Sequence, residues 1–305
     1  MANDDRQTLS DRAARQLANT VKTPPQLEAI TPRWLVSLLQ WTPLEAGTLR
    51  INRVKTGSHP VKVECSHRDE RDLPENFVDY EETPRENTLS VVTTVLDVHT
   101  RISDIYSSPF DQIKEQIRLT VEVVKEKQEH ELINNSDYGL LNQAAAGQRI
   151  KTRKGAPTPD DLDELLTKVW KEPAFFLAHP RSIAAFGREC TRRGVPPATV
   201  TLFGSPFITW RGVPLVPCDK LLVDAAGKSN ILLMRVGDKK QGVVGLFQPN
   251  LPGEQTPGLS VRFMGINRKA IASYLVSLYC SAAVLCDDAL GVLENVEVGH
   301  YHEYK

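Results

Sequence analysis

Residues 108–134 read SPFDQIKEQIRLTVEVVKEKQEHELIN, the longest helical pattern in the chain. Phe110, Ile113, Ile117, Val121 and Val124 recur at spacings of three and four, the period of one helix face. The opposite side carries Lys114, Glu115, Arg118, Glu122, Lys125, Glu126 and Glu129, which predicts a half-exposed spine with a charged, solvated face. Ser108-Pro109 opens it, since proline suits the first helical position. Asp111 then sits in the first turn, where a carboxylate meets the positive end of the helix dipole. Over residues 109–134, at 1.5 Å per residue, the spine is about 39 Å long.

The flanks supply strands and shorter helices. Residues 88–98 (TLSVVTTVLDV) are rich in Val and Thr and predict a buried strand. Thr158-Pro159-Asp160-Asp161 precedes Leu162, Leu165, Leu166 and Val169, the opening of a second helix with acidic residues suited to its first turn. Pro180 opens a third, with Ile183, Phe186, Gly187 and Cys190 inward and Gly194 as the glycine just past its end. Residues 231–236, 242–247 and 259–264 predict strands separated by loops. The fold class is α+β, with one spine helix and a sheet assembled from distant parts of the chain.

The first 45 residues predict an arm. Residues 10–21 place Ala13, Ala14, Leu17, Ala18 and Val21 on one face behind Ser10 as N-cap, and a second short helix starts at Thr31-Pro32 with Trp34, Leu35, Leu38 and Trp41 as its stripe. Such short pieces cannot bury their faces alone and need another surface. Residues 48–54 (TLRINRV) and 60–65 (PVKVEC) alternate like strands around a turn at Gly57-Ser58. From Glu64 to Glu86 there follow nine acidic residues against three arginines. This predicts a long projecting hairpin, marginal unless it lies on something.

Composition bounds the function. The 305 residues are 41% hydrophobic and 25% charged, ordinary for a globular protein, and the net charge of −1 argues against a nucleic-acid binder. The densest basic run, residues 149–154, predicts a solvated loop. Five cysteines (65, 190, 218, 280 and 286) lack metal-ligand spacing and predict reduced, mostly buried thiols of a cytosolic protein. Residues 1–15 are polar and do not resemble a signal peptide. Residues 270–286 (AIASYLVSLYCSAAVLC) are uncharged, but three serines and four alanines dilute them. A buried strand or helix explains the run; a membrane anchor is the alternative.

No phosphate loop, nucleophile elbow or zinc-binding helix motif is present, and no enzyme activity is expected. His300-x-His302 is the closest-spaced histidine pair, in a polar tail expected to be disordered. Asp160-Asp161 suits a helix start, and Asp287-Asp288 suits a turn ending a buried strand.

Four stretches carry a family resemblance: residues 14–31 (ARQLANTVKTPPQLEAIT), 97–106 (DVHTRISDIY), 156–197 (APTPDDLDELLTKVWKEPAFFLAHPRSIAAFGRECTRRGVPP) and 241–278 (QGVVGLFQPNLPGEQTPGLSVRFMGINRKAIASYLVSL). Together they resemble the second encapsulin family, in the branch whose shells carry a cysteine desulfurase. The resemblance implies the capsid fold of tailed phages, divided into an N-terminal arm (1–45), an extended loop (46–87), a peripheral domain with the spine helix (88–155), an axial domain (156–240), and a return to the peripheral domain with a C-terminal tail (241–305). It also implies a homo-oligomeric icosahedral shell in the cytoplasm, a role in sulfur metabolism or storage, and no nucleic-acid or membrane partner. Pyridoxal phosphate is then expected only in the cargo enzyme, with no cofactor or metal on this chain. The loop Arg192, Arg193, Gly194, Val195, Pro196 and Pro197 is the candidate rim of a five-fold pore. Some relatives carry an inserted cyclic-nucleotide-binding domain, for which this chain has no room.

Overall fold

The structure is a computed structural model and describes residues 30–54, 61–65, 73–99 and 111–302, besides 12, 27 and 28. The predicted helix at 10–21 apart from Arg12, the Gly57-Ser58 turn and the Ser108-Pro109 opening lie outside the described residues. In chain order the first half contains α1 (Trp34–Leu38), β1 (Gln40–Pro43), β2 (Thr48–Ile51), β3 (Arg85–Thr88), β4 (Ser90–His99), the spine α2 (Gln112–Asn134), α3 (Leu140–Gln143) and β5 (Arg149–Lys151). The second half contains α4 (Pro159–Lys168), β6 (Phe175–Ala178), α5 (Pro180–Arg192), β7 (Ala198–Leu202), β8 (Ser205–Trp210), β9 (Val213–Pro217) and β10 (Lys228–Met234). It ends with β11 (Val243–Phe247), β12 (Glu254–Thr256), β13 (Leu259–Ile266), β14 (Ile271–Val284) and β15 (Leu290–Glu297).

The spine ends at Asn134 as its spacing predicts, but its cap is Asp111. The Asp111 carboxylate accepts the backbone N–H of Lys114 at 3.2 Å, which satisfies one of the donors a helix start leaves free. The spine lies on a six-stranded sheet in which β1, β11, β14, β13 and β12 follow one another and β4 also pairs with β14. The apolar run 270–286 becomes β14, a strand of 14 residues. It is apolar because it is covered: Val276 and Leu278 pack with Val124 of the spine and Leu259 of β13. The predicted burial of residues 88–98 holds for one face only. Val92 and Val98 turn inward, while Val91 and Val95 are exposed, because β4 meets the spine from one side.

Two further expectations change. The stripe starting at Thr31-Pro32 is helical only through Leu38; Trp41 stands on β1, parallel to β11, with its indole over Gly245. Its indole N–H donates to the Val36 carbonyl at 2.9 Å, which folds the strand back onto the helix. Residues 61–65 form no strand. The hairpin is closed instead by Asn76, whose carboxamide oxygen accepts the Lys62 N–H at 2.7 Å and whose amide donates to the Lys62 carbonyl at 2.9 Å. Nearer the root, β2 and β3 pair antiparallel from Thr48↔Thr88 to Ile51↔Arg85, and Val54 bridges Tyr80.

A seven-stranded sheet forms the rest, in the order β5-β15-β10-β6-β9-β8-β7. Leu162, Leu165, Phe186 and Cys190 from α4 and α5 close over Phe176, Leu215, Ile231 and Leu293. Thr158 and Asp161 form a reciprocal capping box at the start of α4, and Gly194 ends α5 at φ +69°. Residues after 241 serve both sheets: β11 to β14 belong to the first, β15 to the second. A third cluster joins the two, with Leu35 of the arm and Leu132 and Ile133 of the spine between Leu232 and Ala282.

Candidate assembly surfaces

The charged face of the spine is not solvated where Glu122, Glu126 and Glu129 stand. Spaced four and three apart, they form one stripe, and the arm lies on it. The Arg33 guanidinium donates to Glu122 at 2.6 Å and to Glu126 at 3.3 Å. Glu126 also accepts the Thr31 N–H at 2.9 Å and pairs with the Lys220 ammonium at 2.8 Å. Burial pushes Glu126 up, but the Lys220 and Thr31 hydrogen bonds together hold its carboxyl below the ordinary value. Glu129, only 1% exposed, accepts the Leu35 N–H at 3.0 Å. Burial wins there and raises its pKa.

Glu129, Cys218 and Asp219 bring one ligand atom each within 4.8 Å of one another. They are the described groups best placed for a cation, yet the place is already served. The Lys220 ammonium sits 2.8 Å from Asp219, the Leu35 N–H occupies Glu129, and burial favours the protonated acid and thiol. The cluster is an arm dock.

The root of the extended loop is gripped by Asp287. Arg53 donates to both its oxygens, at 3.1 and 2.9 Å, and Arg85 approaches to 3.7 Å. Asp288 turns the other way, pairing with Arg235 and Lys171, each at 2.8 Å. Beyond the root, Val61, Val63, Leu73, Phe77 and Tyr80 are exposed, Phe77 at 81%. Isolated exposed apolar residues are common, but a succession along one projecting loop marks a surface meant to be covered.

The six rim candidates stay together as the exposed end of α5 and the turn after it, with Pro197 half-buried. Arg192 pairs with Glu189 at 2.8 Å and Arg193 with Asp160 at 3.3 Å, ties within the chain that suit a helix C-terminus. The tail expected to be disordered is docked on α5 through residue 302. Arg188 donates to the Val298 and His300 carbonyls at 2.8 and 2.9 Å and lies 4.5 Å from the Tyr301 ring centre. His302 contacts Glu189 at 2.8 Å, whereas His300 contacts Glu297, so the two histidines share no ligand point. Cys190, Cys218 and Cys280 are buried, Cys286 is half-buried and Cys65 exposed, all as free thiols. Among the described residues no helix is long and apolar enough to cross a membrane.

A body of two sheets behind one spine, with an arm and a projecting apolar loop, defines a capsid-fold shell subunit. The family model described as type 2A encapsulin shell protein SrpI-like matches residues 47–300, and the chain belongs to that family. It is 71% identical to the type 2A encapsulin shell protein SrpI of Synechococcus elongatus over 297 residues, 97% of this chain and 96% of SrpI. The cryo-EM structure of the holo-SrpI encapsulin complex from that organism superposes with a TM-score of 0.86 at 67% identity, covering 98% of this chain and 100% of that one. The capsid of a native GTA particle, at 15% identity, shares the fold with a TM-score of 0.60 over 95% of this chain and 100% of its own. The fold class is that of phage capsids and encapsulins, and the relatives are named as shell proteins, not enzymes.

Proposed function

We propose that copies of this chain close through heterologous contacts into an icosahedral shell in the cytoplasm, around a cysteine desulfurase that serves sulfur storage or metabolism. The observation that carries the reading is the extended loop, whose apolar side chains stand exposed among the described residues, in a chain of a shell-protein family. Residues 31–43 of the arm (1–45) are held by the spine and β11 of the same chain. The extended loop (46–87) acts between subunits beyond its root, 88–155 and most of 241–305 form the peripheral part, and 156–240 the axial part. Arg192 to Pro197 rim a pore that passes small solutes. Pyridoxal phosphate belongs to the cargo, as does the chemistry.

Expression with and without a desulfurase tests both parts. Uniform closed spheres by negative-stain microscopy, and a pyridoxal-phosphate chromophore that stays protected from protease inside them, are the expected results. A monomer or dimer overturns the shell, and a desulfurase that remains outside overturns the cargo.

A further inference from the structure

We propose that Asp287 is a positioning residue that fixes the pitch of the extended loop and thereby the curvature at which copies of this chain join; this rests on the shell reading above. The turn Asp287–Ala289 stands between β14, the long strand of the first sheet, and β15 of the second. Its two carboxylates point to different bodies. Asp287 receives Arg53, two residues past the end of β2, and Arg85, the first residue of β3, so one side chain holds both strands of the loop at their root. Asp288 receives Arg235, whose buried guanidinium also donates to the carbonyls of Lys240 and Gln241, and so anchors the same turn in the second sheet. Loop, first sheet and second sheet meet in two adjacent residues.

Among the described residues, the other side-chain support of β2 is apolar, while the backbone ladders begin at β1 and β4 on either side of the root. Leu49 and Ile51 rest with Leu285 on the small cluster around Leu246 and Ala283, and apolar contact tolerates rolling. Beside it the root faces a cleft of about 710 Å³ lined by Arg53, Asp238, Gln241 and Asp287 among others, so there is room to move. A bidentate guanidinium–carboxylate pair is planar and specifies an angle. Asp287 is half-exposed, so the pair adds little to folding stability. Its leverage is geometric. Out and back between Val54 and Tyr80 the chain can reach at most about 43 Å, taking about 13 residues at about 3.3 Å each, so a tilt of about 10° at the root displaces a point at that limit by about 7 Å.

Purified full-length chains carrying Asp287→Asn, Arg53→Gln, or the exchange of Asp287→Arg with both Arg53→Asp and Arg85→Asp are compared with the unaltered chain by sedimentation velocity and negative-stain particle sizing. Circular dichroism and urea unfolding report the fold. The unaltered chain is expected to give one narrow size population. Each single variant is expected to keep its fold and lose that population to a broad or open distribution, and the exchange to restore it. Single variants with the unaltered distribution overturn the proposal, as does an exchange that fails to restore it or loss of folding in both single variants. If the unaltered chain forms no particles, the shell reading has failed first, and the two failures are told apart.

Discussion

The backbone N–H of Leu35 donates to the carboxylate of Glu129 at 3.0 Å across 94 positions of sequence, so a buried acid on the spine holds the first turn of the arm helix. The arm is not merely laid on the body; its backbone is read by a side chain.

Glu129→Ala leaves that N–H buried without an acceptor and is expected to cost about 1–3 kcal/mol, whereas Glu129→Gln keeps a carbonyl oxygen in place and costs less. Urea denaturation ranks the two, and trypsin cleavage at Arg33 reports arm release. Equal destabilisation by Ala and Gln would show that the hydrogen bond contributes nothing.

Arm docking is also expected to weaken in acid, and the sign follows from two opposed shifts. The Glu126 carboxyl is lowered in the folded chain, so its contribution is present above the unfolded value of 4.5 and is lost as pH falls below that value toward the folded one. Glu129 is raised, so acid relieves its burial penalty, which returns as pH rises from 4.5 toward the folded value. Glu126→Gln removes the first contribution and should flatten the fall of the urea midpoint between about pH 5 and about pH 3, about two units that bracket the unfolded value of 4.5. An unchanged pH profile in this variant sinks the assignment.

How much of this was legible in the sequence depends on whether the partner was local. The end of the spine at Asn134, the start of α4 behind Thr158-Pro159 and Gly194 past α5 are relations within a few residues, and spacing alone found them; the reciprocal bond of Thr158 and Asp161 came only with the structure. The apolar character of 270–286 showed that the run is covered, and the strand pairing shows by what. Glu129 could not be read, because a charged helix face looks the same whether it meets water or a backbone N–H from 94 residues earlier. Asp287 with Arg53 and His302 with Glu189 are likewise long-range pairs. The four-and-three spacing of Glu122, Glu126 and Glu129, set beside Arg33 in an arm without a surface, was the one signal that could have found the dock.

Gly245 gives a steric test of the arm. A Cβ there would meet three atoms of the Trp41 ring at 2.7, 2.7 and 2.9 Å, and a rigid indole cannot move one atom aside. Gly245→Ala is therefore expected to displace Trp41 from β11 and cost about 1–3 kcal/mol. The urea midpoint should fall, and indole emission should shift to the red as Trp41 enters water. A variant with the parent's midpoint and spectrum would place Trp41 elsewhere.

The thiols should divide by burial. Desolvation pushes Cys190 up to about 11 and Cys280 up to about 12, and raises Cys218 as well, so at neutral pH none of the three is an appreciable thiolate. Iodoacetamide on the dissociated, folded chain should label exposed Cys65 and spare these three until denaturant is added. Peptide mapping reads the order, and early labelling of Cys280 would contradict the packing of β14.

Phe77 separates folding from assembly. It is 81% exposed on the extended loop, so Phe77→Asp removes almost nothing from the core, and the unfolding midpoint of the chain should move by no more than about 0.5 kcal/mol equivalent. If the loop is covered by a second copy, the same change puts a charge into an apolar contact, where an unpaired carboxylate is strongly disfavoured. Each copy repeats the defect at every symmetry-related contact, so the effect on the particle is multiplied while the effect on the subunit is not. Sedimentation should then show folded small species in place of large particles, and Phe77→Leu, which keeps an apolar side chain, should assemble. Intact particles from Phe77→Asp would mean that this part of the loop faces solvent in the assembly.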